Sequence, residues 1–222
     1  MQEGVVMSDE IIVKMSLSDQ IYSLLKKQII NGQLKQGERI NIEAIAKKYN
    51  VSRTPIREAL NRLQQEGFVE NIHNVGPSVV KFESEDIVEL IYVNRILFSG
   101  VIELLFKNCN MKLLLAELKK CLDQQILAHE NNDFESFLNY SVEFHRILIK
   151  NCGNKRIKQL TLQTQTQLDI GVLNYVKIEE NKEKGINDHK KIYEALENND
   201  MKGAIEIMEK HNVDAEEFYN KA

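Results

Sequence analysis

Val51-Ser52-Arg53-Thr54-Pro55-Ile56-Arg57-Glu58-Ala59-Leu60 sets two arginines and two hydroxyls against an apolar stripe. From Ile56 the apolar positions are Ile56, Ala59, Leu60 and Leu63, the i, i+3, i+4, i+7 repeat of a helix packed on a core. Ser52 or Thr54 suits the cap, and Pro55 is tolerated where the first turn has no N–H to lose. Gly67 supplies a left-handed stop. Arg53, Thr54, Arg57 and Asn61 then face away from the core near the helix start, as a helix that reads DNA requires.

The flanks complete a module. Residues 17–30 read as a first helix, with Ile21, Leu24, Leu25, Gln28 and Ile29 on one face and Ser16 or Ser18 as cap. Gly32 and Gly37 break the chain. Asn41 caps a second short helix carrying Ile42, Ile45 and Ala46, which stops at Tyr49-Asn50. The tight turn after it predicts a helix-turn-helix. Residues 68–72 alternate as a strand, 74–77 supply a turn and 78–82 run as a second strand. Three helices and a hairpin make a winged helix-turn-helix over residues 15–82, behind a disordered arm, residues 1–14.

Charge divides the chain in the same place. Between Lys14 and Lys81 stand eleven Lys or Arg against six Asp or Glu, whereas residues 83–222 carry eighteen against twenty-four. A basic reader on an acidic body suits contact with DNA at one end and excludes a histone-like coating protein. No apolar run approaches the roughly 20 residues that cross a bilayer. With no signal-peptide pattern, and with Cys109, Cys121 and Cys152 at no metal-type spacing, the expectation is a cytoplasmic protein with reduced thiols and no membrane partner.

Residues 83–222 read as an all-α bundle of six or so helices near 85–107, 111–130, 133–151, 155–177, 183–198 and 201–219, with Ser84 capping the first. The fold class is thus mainly α. His189 and His211 fall on consecutive helices with the turn 197–200 almost midway, so an antiparallel hairpin brings them to about the same height. His145 sits on an earlier helix. Three imidazoles projected from different helices can bind a divalent ion; three core histidines are the alternative.

Residues 17–82 resemble the DNA-binding domain of the GntR family of bacterial transcription regulators. The resemblance rests on Gly32-x-Leu34-x-x-Gly37-x-Arg39-Ile40, the 51–60 motif, Leu63-x-x-Glu66-Gly67-Phe68-Val69 and the wing glycine Gly76. Pro77, directly after that glycine, departs from the pattern. The bundle resembles the effector domain of the FadR subgroup in its FCD form. That resemblance implies an Asp, a His four residues later and two further histidines around a metal. His145, with the Asn151-Cys152-Gly153-Asn154 loop after it, and His189 and His211 match; the Asp position is Ser141. Glu143 cannot replace it, because two residues from His145 it points elsewhere on the helix. A neutral hydroxyl is a weak ligand for a divalent ion, so a three-histidine zinc or nickel site and a metal-free anion pocket both stay open. Arg95 stands where the family has an arginine reaching the cavity, and there it would clamp a carboxylate in bidentate fashion; a surface or interdomain ion pair is the alternative. Ser99 replaces an acidic residue that usually follows.

The expected function is a ligand-responsive DNA-binding regulator, a repressor of a metabolic operon, acting as a homodimer on a pseudo-palindromic double-stranded operator. Its DNA contacts would be Arg39, Ser52, Arg53, Thr54, Arg57, Asn61, the wing at Gly76 and His73, for which an exposed strand end is the bland reading. The effector would be a small molecule such as a carboxylate. Two rivals remain: a constitutive DNA-binding dimer whose pocket has decayed, and a metal-dependent enzyme, for which the sequence offers neither a positioned nucleophile nor an acid–base pair.

Overall fold

The computed structural model describes residues 15–211 and 213–221, so the arm expected at 1–14 lies outside the described residues. The chain opens with α1 (Leu17–Ile30), α2 (Ile42–Tyr49) and α3 (Arg53–Gln65), then β1 (Val69–Ile72) and β2 (Gly76–Val79). Ser16 starts α1 by accepting from the Asp19 amide while the Asp19 carboxylate accepts from the Ser16 N–H, a reciprocal cap. Asn41 caps α2 through the amides of Glu43 and Ala44. Asn50 ends α2 in the left-handed region, at φ 52°, which turns the chain sharply into α3. Ile21, Leu25 and Ile29 of α1 meet Ile56, Ala59, Leu60 and Leu63 of α3, all buried.

Ser52 holds the cap position of α3 but makes no capping hydrogen bond, and Thr54 is already inside the helix. Both hydroxyls are left exposed. The wing also differs from expectation. Asn74, at φ 62°, and the Val75 N–H donating to the Ile72 carbonyl complete the reversal early. Gly76 and Pro77 are therefore already paired, opposite Ile72 and Asn71, and β2 ends at Val79 instead of Phe82. Pro77 has no N–H to offer, yet its carbonyl accepts from Ile40 at 2.8 Å. Arg39 bridges to Ser78 beside it, which ties the segment before α2 to the wing.

The bundle follows as α4 (Ser84–Asn108), α5 (Met111–Glu130), α6 (Phe134–Asn151), α7 (Lys155–Gly171), α8 (Leu173–Val176), α9 (Glu179–Glu197), α10 (Met201–His211) and α11 (Val213–Asn220). Ser84 is the first residue of α4 and not its cap. That place belongs to Glu83, whose N–H donates to the Asp86 carboxylate at 2.9 Å. One expected helix divides. It breaks at Gly171, whose carbonyl is taken by the Tyr219 hydroxyl at 2.8 Å; Ile87 packs so close that a Cβ there would come within 3.1 Å of it.

Phe98, Val101, Ile102 and Leu105 of α4 form the middle of the bundle core, against Leu114 and Leu118 of α5, Phe144 and Leu148 of α6, and Ile192 and Leu196 of α9. The last turn of α7 faces the other way. Ile170 is buried in the core of the winged helix-turn-helix, and Gln36 donates to its carbonyl at 3.1 Å. Lys27 of α1 pairs with Glu135 of α6 at 2.6 Å. Gly67, at φ +81°, brings the α3–β1 turn against the Gln167 side chain.

Candidate functional site

Arg53, Thr54, Arg57 and Asn61 are all exposed near the start of α3, as the apolar stripe on its opposite face dictates. Arg39, Arg53, Arg57 and Gly76 line one groove between α3 and the wing, of about 740 Å³ with its open mouth. Arg53 pairs with Glu43 at 3.0 Å, both well exposed. Such a pair contributes about 0–1 kcal/mol, so a phosphate displaces Glu43 at little cost. His73 is exposed at the wing turn. Three guanidinium groups around one groove, with a helix N-terminus at its edge, provide phosphate attraction and major-groove donors together.

The second site lies in the bundle. His145 of α6, His189 of α9 and His211 of α10 each offer a ring nitrogen within 4.8 Å of the others. His189 Nδ1 lies 2.8 Å from Gln125 Oε1 and so carries the proton; its Nε2 lone pair faces His145 Nε2 at 3.4 Å. His211 Nδ1 lies 3.2 Å from Asp188 Oδ2, which frees its Nε2 in the same way. Outer partners of this kind fix tautomer and aim in metal-binding histidines. Phe144 stacks on the His189 ring at 4.1 Å. Two nitrogens about 2.1 Å from one ion in a tetrahedral site stand about 3.4 Å apart, so the widest pair closes by up to about 1.4 Å to hold an ion. Ser141 is also in the lining, one turn before His145, while Glu143 points to solvent.

Burial holds His189 well below the ordinary imidazole range, with His145 and His211 adding to the effect. Burial, then His211, pushes His145 down to about 3. Both rings are thus neutral in the fold, whereas in the unfolded chain they take up protons below about 6.5. Folding stability of the metal-free protein is therefore full above that pH and falls on acidification toward 3. The expected slope is on the order of 1 kcal/mol per pH unit for each buried ring. Urea melts between pH 7.5 and 5 check this, and a flat profile contradicts it.

His145 and His211 open on a cavity of about 710 Å³ with its mouth, whose polar lining includes Ser141, Gln165, Asp169 and Asp188. Arg95 is not part of that lining. Its guanidinium lies 3.4 Å from Glu216 and over the Tyr92 ring, and the Ser99 hydroxyl donates back to the Arg95 carbonyl. The carboxylate clamp expected from Arg95 is therefore turned away from the histidines. The sequence reading passed over three polar residues: Gln125, Asp188 and Asp169. Burial pushes the Asp169 carboxyl up to about 7, against the pull of Arg146. One signal was available, since Asp169 is the only acidic residue between Glu143 and Glu179 and sits between Leu168 and Ile170. Among the described residues no helix is long and apolar enough to cross a membrane.

Comparison with known proteins finds matches to both parts of the chain. The profile of bacterial regulatory proteins of the gntR family matches residues 17–79, and that of the FCD domain matches residues 91–214. An uncharacterized HTH-type transcriptional regulator of Bacillus subtilis, YdhC, is 27% identical over 83% of this chain and 83% of its own length. The gluconate operon transcriptional repressor of the same organism is 27% identical over 61% of this chain, which spans 55% of that protein. The E. coli protein McbR/YncC has the same fold, with a TM-score of 0.78 at 23% identity over 94% of this chain and 99% of its own.

Proposed function

The chain belongs to the GntR family of bacterial regulatory proteins, in the branch that carries an FCD domain, and from that premise we propose a homodimeric operon repressor whose histidine-lined cavity sets its hold on DNA. That it is a ligand-responsive DNA-binding regulator follows from the family. In the proposal, residues 15–82 bind DNA, and residues 83–222 bind the effector and pair two chains. The single observation that carries it is the joining of the two sites through α7: Leu168 and Asp169 line the cavity while Ile170 fills the core beneath α1 and α3.

Arg53 and Arg57 read base edges, guanine above all. Ser52, Thr54 and Asn61 hold phosphates or neighbouring edges, and Arg39, His73 and Gly76 follow the backbone from the wing. Tyr92 and Ile96 leave an exposed apolar strip on α4, which suits pairing with a second copy. Repression draws support from the relatives named as operon repressors. His145, His189 and His211 hold a divalent transition ion, zinc or nickel, with water or an effector oxygen where Ser141 leaves the shell short. When bound, the ion supplies positive charge that attracts an anionic oxygen of the effector.

An effector acts here only by favouring one placement of the DNA-binding modules over another. Selection from random duplexes by the full chain tests the reading. It is expected to return a pseudo-palindrome with half-site centres about 34–36 Å apart, one helical turn, bound by a species of two chains in light scattering. Recovery of no preferred sequence contradicts it.

A further inference from the structure

Beyond the histidines, one wall of the cavity carries a buried carboxylate with an unused oxygen. The Asp169 side chain is 9% exposed, lines the cavity, and Oδ2 makes no hydrogen bond. Its other oxygen, Oδ1, accepts from Gln165 Nε2 at 2.7 Å. Gln165 is itself held, since Oε1 accepts from the Asn94 amide at 3.1 Å. The nearest cation is Arg146, whose Nη2 is 3.9 Å from Oδ2, beyond hydrogen-bond reach. A buried acceptor left without a donor is costly, and this one lines the same cavity as His145 and His211.

We propose that Asp169 and Gln165 form a second subsite of this cavity, which takes a hydrogen-bond donor of the effector, a hydroxyl or an ammonium group. The idea rests on the effector-cavity reading above and sharpens it. An effector whose only polar groups are carboxylates finds no partner on this wall. Asp169 and Asp188 repel it there, Lys184 pairs with Asp214, and Arg95 is engaged elsewhere. A hydroxyl both donates to Oδ2 and accepts from Arg146 or Gln165, so the matching class is polyhydroxylated or amine-bearing. Position adds a consequence. Arg146 also lines a groove at the seam with Lys26 of α1 and Glu66 after α3, and Lys26 and Glu66 pair at 2.6 Å. A hydroxyl that donates to Asp169 and accepts from Arg146 lies between them, so its binding reaches a guanidinium that also faces the DNA-binding module.

Thermal shift of the full-length protein with D-gluconate, xylitol, putrescine and succinate tests the subsite. Gluconate or xylitol raising the melting temperature identifies a hydroxyl as the donor; putrescine alone identifies an ammonium. The stabilising probe is expected to bind Asp169→Asn at least tenfold more weakly. Ligand-free Asp169→Asn is expected to melt no lower than wild type, because it removes a buried charge. Should it not fold, Gln165→Met is expected to show the same tenfold loss. Succinate, which could reach only the histidine-held ion, is expected to stabilise less than those probes and to bind wild type and Asp169→Asn alike. The proposal is overturned if none of the three donor-bearing probes stabilises the wild type, if succinate does so as well as they do, or if the variant binds like wild type. DNA selection by ligand-free protein reads the regulator proposal separately, so failure of one does not imitate failure of the other.

Discussion

Adding zinc to chelator-stripped protein is expected to raise its melting temperature by about 5–15 °C, and His211→Ala is expected to abolish the rise. A ligand that binds only the folded state stabilises it by about 2.7 kcal/mol at a hundredfold excess over Kd and about 4.1 kcal/mol at a thousandfold. In a chain of this size each kcal/mol moves the midpoint by about 2–4 °C. Three imidazoles already face one another, and Gln125 and Asp188 hold two of them in the metal-ready tautomer. His211 is the better test residue. His189 is fully buried and stacked on Phe144, so alanine there also leaves a cavity, whereas His211 is nearer the surface. Elemental analysis should accompany the melts: about one ion per wild-type chain and none in His211→Ala is the expected pair. An unchanged midpoint after reconstitution would show that Ser141 has ended metal binding.

The second large effect belongs to α3. Arg57→Ala is expected to cost about 1–3 kcal/mol of specific binding, roughly a 5- to 150-fold loss, as for a bidentate contact to guanine. Arg57 is exposed beside Gly76 and Pro77 of the wing, and its backbone lies on the solvent side of a helix whose other face is fully buried. The fold should therefore be untouched. Fluorescence anisotropy on the selected duplex and on a scrambled one separates the possibilities. A reader loses discrimination, while a residue that touches only phosphate loses affinity for both duplexes alike. Equal loss on the two would move Arg57 to the backbone class.

The two halves of the chain differ in how far they could be read in advance. For α1 and α3 the apolar stripe named the buried residues, because a helix on a single small core shows its period plainly. Caps were harder. Ser84 looks like a cap by type, but Asp86 is placed to accept from the residue before it, and only coordinates show which N–H lies in reach. The break at Gly171 was hidden because its cause, the Tyr219 hydroxyl, comes from 48 residues away. The histidine cluster was legible since equal rise on two arms of a hairpin fixes relative height. For Arg95 the sequence offered both an ion pair and the cavity, and the choice depends on how α11 packs on α4. Asp169 escaped for a related reason: a lone acid on a helix is ordinarily solvated, and its burial comes from other bundle helices closing around that turn of α7.

That turn also limits how the protein can be taken apart. Ile170 belongs by sequence to the bundle and by packing to the core below the recognition helix. A hybrid regulator joined after residue 82 would give the DNA-binding module a foreign partner and leave a gap beside Ile29, Leu34 and Phe82, which face that stretch of α7. Excised alone, the same module would present those side chains to water. Its parts are exchangeable only in blocks that carry the last turn of α7 with them.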